Sequence, residues 1–136
     1  MSEANKEVLK RWFQEVWNNG RADAIDELFA EHGSAHGLSD DSVVIGPAEF
    51  KAFHSTFRGA FPDIEVVLED MIAEGDKVAA RCRVRGKHSG DHLGFAATNK
   101  AIGITGMVIV RIEDGKIVEA WNNFDFMSMN RQLGVS

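Results

Sequence analysis

Apolar residues near the start of the chain recur at spacings of one, three and four: Val8, Leu9, Trp12, Phe13, Val16 and Trp17. This period lays one wide stripe along a helix. The pattern predicts a helix over Ser2–Asn19, stopped by Asn19-Gly20. A second, short helix is predicted over Ala22–Ala30, burying Ile25, Leu28 and Phe29. His32–Asp41 is polar and reads as a loop with a short strand starting near Ser34. Gly46-Pro47 opens a third helix that reaches Ala60, with Pro47 placed where a missing N–H does no harm. Its stripe is Phe50, Phe53, His54 and Phe57, and Phe61-Pro62-Asp63 ends it.

From Ile64 onward the period becomes two. Strands are predicted over Ile64–Glu74, Lys77–His88, Ile102–Ile112 and Lys116–Asp125. Gly75-Asp76 and Asp114-Gly115 join them as two hairpins. Phe126–Leu133 is expected to hold one helical turn. Helices followed by antiparallel strands indicate an α+β fold. The expected architecture is a curved antiparallel sheet wrapped as a cone around three N-terminal helices, with Gly103 and Gly106 as candidate bends. The 136 residues fit one domain, and no repeat, linker or low-complexity stretch divides them.

Composition narrows the functional classes. A formal net charge of −6 argues against a nucleic-acid partner, which needs clustered cations. The apolar runs are far short of the roughly 20 residues that span a bilayer. The segment MSEANKEVLKRW lacks the apolar stretch of a secretion signal, so a cytoplasmic protein is expected. Cys82 is the only cysteine, which excludes an intrachain disulfide and a multi-cysteine metal site. The chain has no tyrosine, so a mechanism that relies on a tyrosine hydroxyl is excluded. His32 and His36, like His88 and His92, are four apart, but neither pair lies on a predicted helix and no third ligand is evident. No metal and no cofactor are expected.

The aromatic residues fall mostly in the helices and at strand ends, where rings meeting at the mouth of a cone leave an apolar hole. Residues in a strand alternate between faces. Along the last strand Ile117, Glu119, Trp121, Asn123 and Asp125 share one face, and Val118, Ala120, Asn122 and Phe124 the other. With the first face inward, Trp121 is a wall, and Asn123 and Asp125 project together, about 7 Å apart. Burial would raise the pKa of Asp125 and suit it to exchange a proton with carbon. Asn123 would hold a carbonyl oxygen or a developing enolate. The alternative for Asp125 is a cap on the C-terminal turn. His88 shares the apolar face of Val78, Ala80, Cys82 and Val84, which makes it a candidate to polarise a substrate oxygen or a hydrogen-bonded structural histidine. Arg81 lies on the opposite face and reaches a pocket only past a bulge. Phe13, Trp17, Phe53, Phe57, Met107 and, at the rim, His36 complete the candidate lining.

The segments GPAEFKAFHSTFRGAFPD, EDMIAEGDKVAARCRVRGKHSGDHLG and ITGMVIVRIEDGKIVEAWNNFD, with QLG after them, resemble the SnoaL-like polyketide cyclases of the nuclear-transport-factor-2-like superfamily. The likeness runs in order from VLKRWFQEVWNNG to Leu133-Gly134. It implies a homodimer through the outer sheet face and a hydrophobic small-molecule ligand. It also implies intramolecular aldol ring closure of a polyketide ester without metal or cofactor. The family's aspartate near the end of the last strand is matched by Asp125, while Asn123 stands where the cyclases carry a histidine. A non-catalytic ligand-binding or dimerisation module of the same fold is the alternative.

Overall fold

The computed structural model describes residues 2–38 and 42–135. Its elements follow the change of period. Helix α1 (Ser2–Arg11) runs into a π-helical segment (Trp12–Asn18), and α2 (Asp23–Leu28) follows. Then come strands β1 (Phe29–His36) and β2 (Val44–Ile45), helix α3 (Gly46–Ala60), and strands β3 (Glu65–Glu74), β4 (Lys77–Lys87), β5 (Ala101–Glu113) and β6 (Lys116–Phe124). Helix α4 (Phe126–Leu133) closes the order. Pro47 lies in the first turn of α3, and Glu49 accepts the Ile45 N–H at 2.8 Å, so this start is capped by its own sequence.

Three expectations are corrected. The second helix stops at Leu28, because Phe29 already belongs to β1, a full eight-residue strand rather than a short one near Ser34. Part of the loop predicted over His32–Asp41 lies outside the described residues. The C-terminal segment is an eight-residue helix, not one turn. The sheet is mixed and open, in the order β2-β1-β6-β5-β4-β3. β1 runs parallel to β6, with His36 opposite Trp121, and all other pairings are antiparallel. The parallel pair arises because β1 is separated from β6 in sequence by α3 and two hairpins rather than joined to it by a turn.

The long helix is wound more widely than its pattern suggests. Between Trp12 and Asn18 the N–H groups reach back five residues, as Asn19 N–H does to Gln14 O at 2.8 Å. Two carbonyls of this segment are taken by α3: the Val16 oxygen accepts from His54 Nε2 at 2.7 Å and the Trp17 oxygen from Arg58 at 2.7 Å. Asn18 completes the docking by pairing with both the N–H (2.6 Å) and the carbonyl (2.9 Å) of Val66 on edge strand β3. The inner sheet face carries Val78, Ala80, Cys82 and Val84 from β4 and Ile102, Ile104, Val108, Val110 and Ile112 from β5, all buried against the helices. Gly106 lies in the same inward row, where the ring of Phe124 occupies the space of a side chain.

Candidate functional site

A cavity opens between the π-helical segment, α3 and the concave sheet face. Trp12, Phe13 and Trp17 form one wall, and Phe50, Phe53 and Phe57 another. The floor is aliphatic, with Val84, Ile104, Val108, Val110 and Ala120. Trp17 is met nearly edge-on by Phe50 (6.1 Å), Phe53 (6.0 Å) and Phe57 (6.2 Å), a geometry that aromatic quadrupoles favour. The half-buried Leu38, Asn122, Phe124 and Phe126 form the rim. The cavity volume is about 60 Å³, so a flat molecule larger than a few waters must move rim side chains to enter. Among the described residues Asn122 is the one side-chain amide in the lining, which otherwise offers only the indole N–H groups of Trp12 and Trp17 as polar groups and holds no titratable side chain.

The presence of Asn122 there follows from a bulge. Ile112 pairs with Ile117, but Arg111 pairs with Glu119, so Val118 is an extra residue on β6. Strict alternation from Ile117 would turn Glu119, Trp121, Asn123 and Asp125 inward. The inserted residue reverses the parity, and Ala120, Asn122 and Phe124 face the cavity instead. Asn122 is held by its Nδ2, which donates to the His36 carbonyl at 2.9 Å. Gly37 lies against it with φ +84°, and a Cβ there would stand 2.0 Å from the Asn122 carbonyl oxygen. One amide proton and the Oδ1 of Asn122 are left for a ligand.

The family model for SnoaL-like polyketide cyclase matches residues 7–133. The chain belongs to the SnoaL-like polyketide cyclase family. It is 30% identical over 129 residues to aklanonic acid methyl ester cyclase DnrD of Streptomyces peucetius, covering 93% of this chain and 88% of that protein. It is 29% identical over 121 residues to nogalonic acid methyl ester cyclase of Streptomyces nogalater, covering 88% of this chain and 90% of that one. A SnoaL-like protein of Jannaschia sp. CCS1 superposes with a TM-score of 0.89 at 24% identity, over 99% of this chain and 94% of that one. The SnoaL-like fold, an α+β cone, is therefore the fold of this chain.

Within this SnoaL-like frame the residues singled out from sequence lie in the inner cavity, on the outer face, where His36 stands rather than at the expected rim, or, for His88, in the interior. Phe13, Trp17, Phe53 and Phe57 line the inner cavity. Asp125, Asn123, Arg81 and Met107 gather on the opposite, outer face, around a shallow concavity shared with Glu69, Arg83, Thr105 and Met127. Trp121 and Met107 are 37% and 59% exposed. Trp121 stacks on His36 at 6.0 Å, and His36 in turn pairs with Glu119 at 2.9 Å. The inward placement expected for Trp121, Asn123, Asp125 and Met107 is overturned. The bulge accounts for the β6 residues, and Met107 follows the odd, outer parity of β5. Arg81 also stays on the outer side, paired with Glu69 at 3.0 Å; the extra residue of the β3–β4 ladder falls on β3, so the parity of β4 is unbroken.

Asp125 is exposed at the N-terminus of α4. It accepts the Ser128 N–H at 3.0 Å and the Ser128 hydroxyl at 2.6 Å. These bonds hold its carboxyl below the usual carboxylate range, opposite to the rise expected in a dry cleft. A carboxyl depressed in the folded state stabilises the fold above its ordinary value of 3.8, and that contribution is lost as the pH falls through its folded pKa. Asp125→Ala is therefore expected to lower the urea midpoint at pH 7, with the gap to the parent protein narrowing toward pH 3. Ligand binding in the inner cavity should not change. A midpoint that does not move at pH 7 would remove the capping role.

Three buried groups complete the site's surroundings. Burial keeps the His54 pKa below its ordinary value, consistent with a neutral ring donating to Val16. The Cys82 thiol is pushed up to about 11, chiefly by burial, and is held as an inert core group. His88 is fully buried beside Phe61 and Phe95, yet it does not line the cavity. Among the described residues no group of three His, Cys, Asp or Glu is arranged to hold a metal ion, and no helix is long and apolar enough to cross a membrane. Asn122 was missed because parity was carried straight through Val118. The signal for it was the hydrophobic pair Ile117-Val118, which breaks the alternation just before Glu119.

Proposed function

We propose that the chain takes a flat, largely apolar carbonyl compound, of the aromatic polyketide ester type processed by the related cyclases, into the inner cavity. Its carbonyl oxygen is held by the free amide proton of Asn122. One observation carries this reading: among the described residues a single side-chain amide, able both to donate and to accept, stands in a lining otherwise made of hydrocarbon and two indoles. An amide aimed at a carbonyl oxygen also stabilises the enolate that forms when a proton leaves the neighbouring carbon, which is the first step of an aldol-type ring closure. That step needs a base, and no described side chain of the lining is one. A second reading, ligand binding without chemistry, is favoured by the lack of a titratable side chain among the described residues of the lining.

Trp12 and Trp17 line the cavity, so their fluorescence reports entry. Acetylnaphthalene should quench it in a saturable way. Asn122→Ala should weaken the ketone about three- to tenfold, the worth of one hydrogen bond, and leave the matched hydrocarbon isopropylnaphthalene unchanged. Equal loss for both compounds would dismiss Asn122 as the carbonyl anchor. Deuterium exchange at the methyl carbon of the bound ketone separates the readings: protein-dependent exchange supports enolate chemistry, and its absence supports binding alone. We also propose a homodimer through the outer face. Met107, Ile109, Trp121, Val67 and Ile72 are exposed apolar residues there, and a sedimentation mass of one chain would refute it.

A further inference from the structure

We propose that the niche beside His88 is a binding site for one neutral oxygen acceptor. The imidazole is wholly inaccessible to solvent. Its Nδ1 accepts the Thr98 N–H at 3.1 Å and has the Thr98 hydroxyl 3.0 Å away. A ring nitrogen that accepts a backbone N–H carries no proton, so the ring is neutral and its proton sits on Nε2. That Nε2–H is buried with no partner, and it is the buried side-chain polar atom left unsatisfied among the described residues. Buried donors are almost always paired, and one that is not marks a place where an acceptor belongs.

The surroundings define that acceptor. The ring centroids of Phe61 and Phe95 lie 5.4 and 5.2 Å from the imidazole, tilted at 43° and 54°. A charged group would be stranded between two phenyl rings and a neutral imidazole, whereas a water or a carbonyl oxygen would not. The chain from 88 to 100 fixes the ring in place. His88 N–H donates to Lys100 O at 2.9 Å, Asn99 N–H donates to His88 O at 2.8 Å, and Gly90 N–H donates to Ala60 O at 3.2 Å. An unbroken ladder of rings, Phe53, Phe57, Phe61 and His88, spaced 5.3 to 5.8 Å apart, leads from the cavity wall to this niche. The acceptor is accordingly either an enclosed water or the oxygen of a cavity ligand that displaces Phe61. The ligand arm rests on the cavity taking a ketone, which tryptophan quenching reports independently.

The test is 15N NMR of the labelled full chain, with His88→Phe used to assign the imidazole signal. In the free protein the proton should be on Nε2 and show cross-relaxation with water. Water contacts that persist when quenching is saturated by acetylnaphthalene identify an enclosed water. Contacts replaced by those of the ketone, with a downfield shift of the Nε2–H, identify the ligand carbonyl. A proton found on Nδ1, or an Nε2–H that touches neither water nor ketone at saturation, overturns the proposal. Failure of acetylnaphthalene to quench leaves the water arm decisive and counts against the cavity reading instead.

Discussion

Asn122→Asp is expected to convert the cavity into a site that removes protons from carbon. The carboxyl would stand at the rim of an apolar lining, where burial disfavours its charge. It would also face the His36 carbonyl oxygen, now bound to the amide at 2.9 Å, and only a protonated carboxyl can donate there. Both effects raise its pKa toward neutrality, which is the range in which a general base works best. Deuterium incorporation into the methyl group of acetylnaphthalene should accelerate by about a hundredfold or more over the parent protein, the usual worth of a positioned base. The rate should climb with pH through the raised pKa and level off above it. A ketone that still binds, seen by tryptophan quenching, while exchange stays at the parent rate would show that position 122 is out of reach of the carbon acid.

Gly106→Val is the second large effect. A Cβ at Gly106 would stand 2.1 Å from Cδ1 and 2.6 Å from Cγ of Phe124, far inside contact distance. The ring cannot remain over the strand, and Phe126 already stands 6.4 Å from it on the rim. Phe124 must therefore swing into the mouth. Ketone binding should fall at least about tenfold, with a stability loss of about 1–3 kcal/mol, the range typical of overpacking. Phe124→Leu in the same background should recover part of the binding by shortening the displaced side chain. Unchanged binding in Gly106→Val would show that the ring has an outward escape.

The sequence carried the order of elements because each has a strong period and clear punctuation. Gly75-Asp76, Asp114-Gly115 and Gly46-Pro47 each mark an observed boundary. The face of β4 was legible for the same reason: Val78, Ala80, Cys82 and Val84 alternate with Arg81, Arg83 and Arg85 without interruption. The face of β6 was not. Binary patterning fixes parity only while the ladder is regular, and one unpaired residue at Val118 exchanged the two sets of side chains. The parallel partner of β6 was hidden too, because β1 carries a weak pattern and its register slips between Phe29 and Ser34. The wide winding of Trp12–Asn18 has no local signature. The carbonyls of its last turn, which any helix leaves unpaired, depend for partners on His54 and Arg58, about forty residues onward.

That last dependence ties together two parts of the molecule that would otherwise move separately. Phe53 and Phe57 hang from the same helix whose His54 and Arg58 grip the backbone carrying Trp17. A guest that levers the third helix outward must drag the tryptophan-bearing coil with it or break both grips. The chamber should consequently dilate as one shell, and the indole emission of this protein serves as a built-in gauge of how far it has opened.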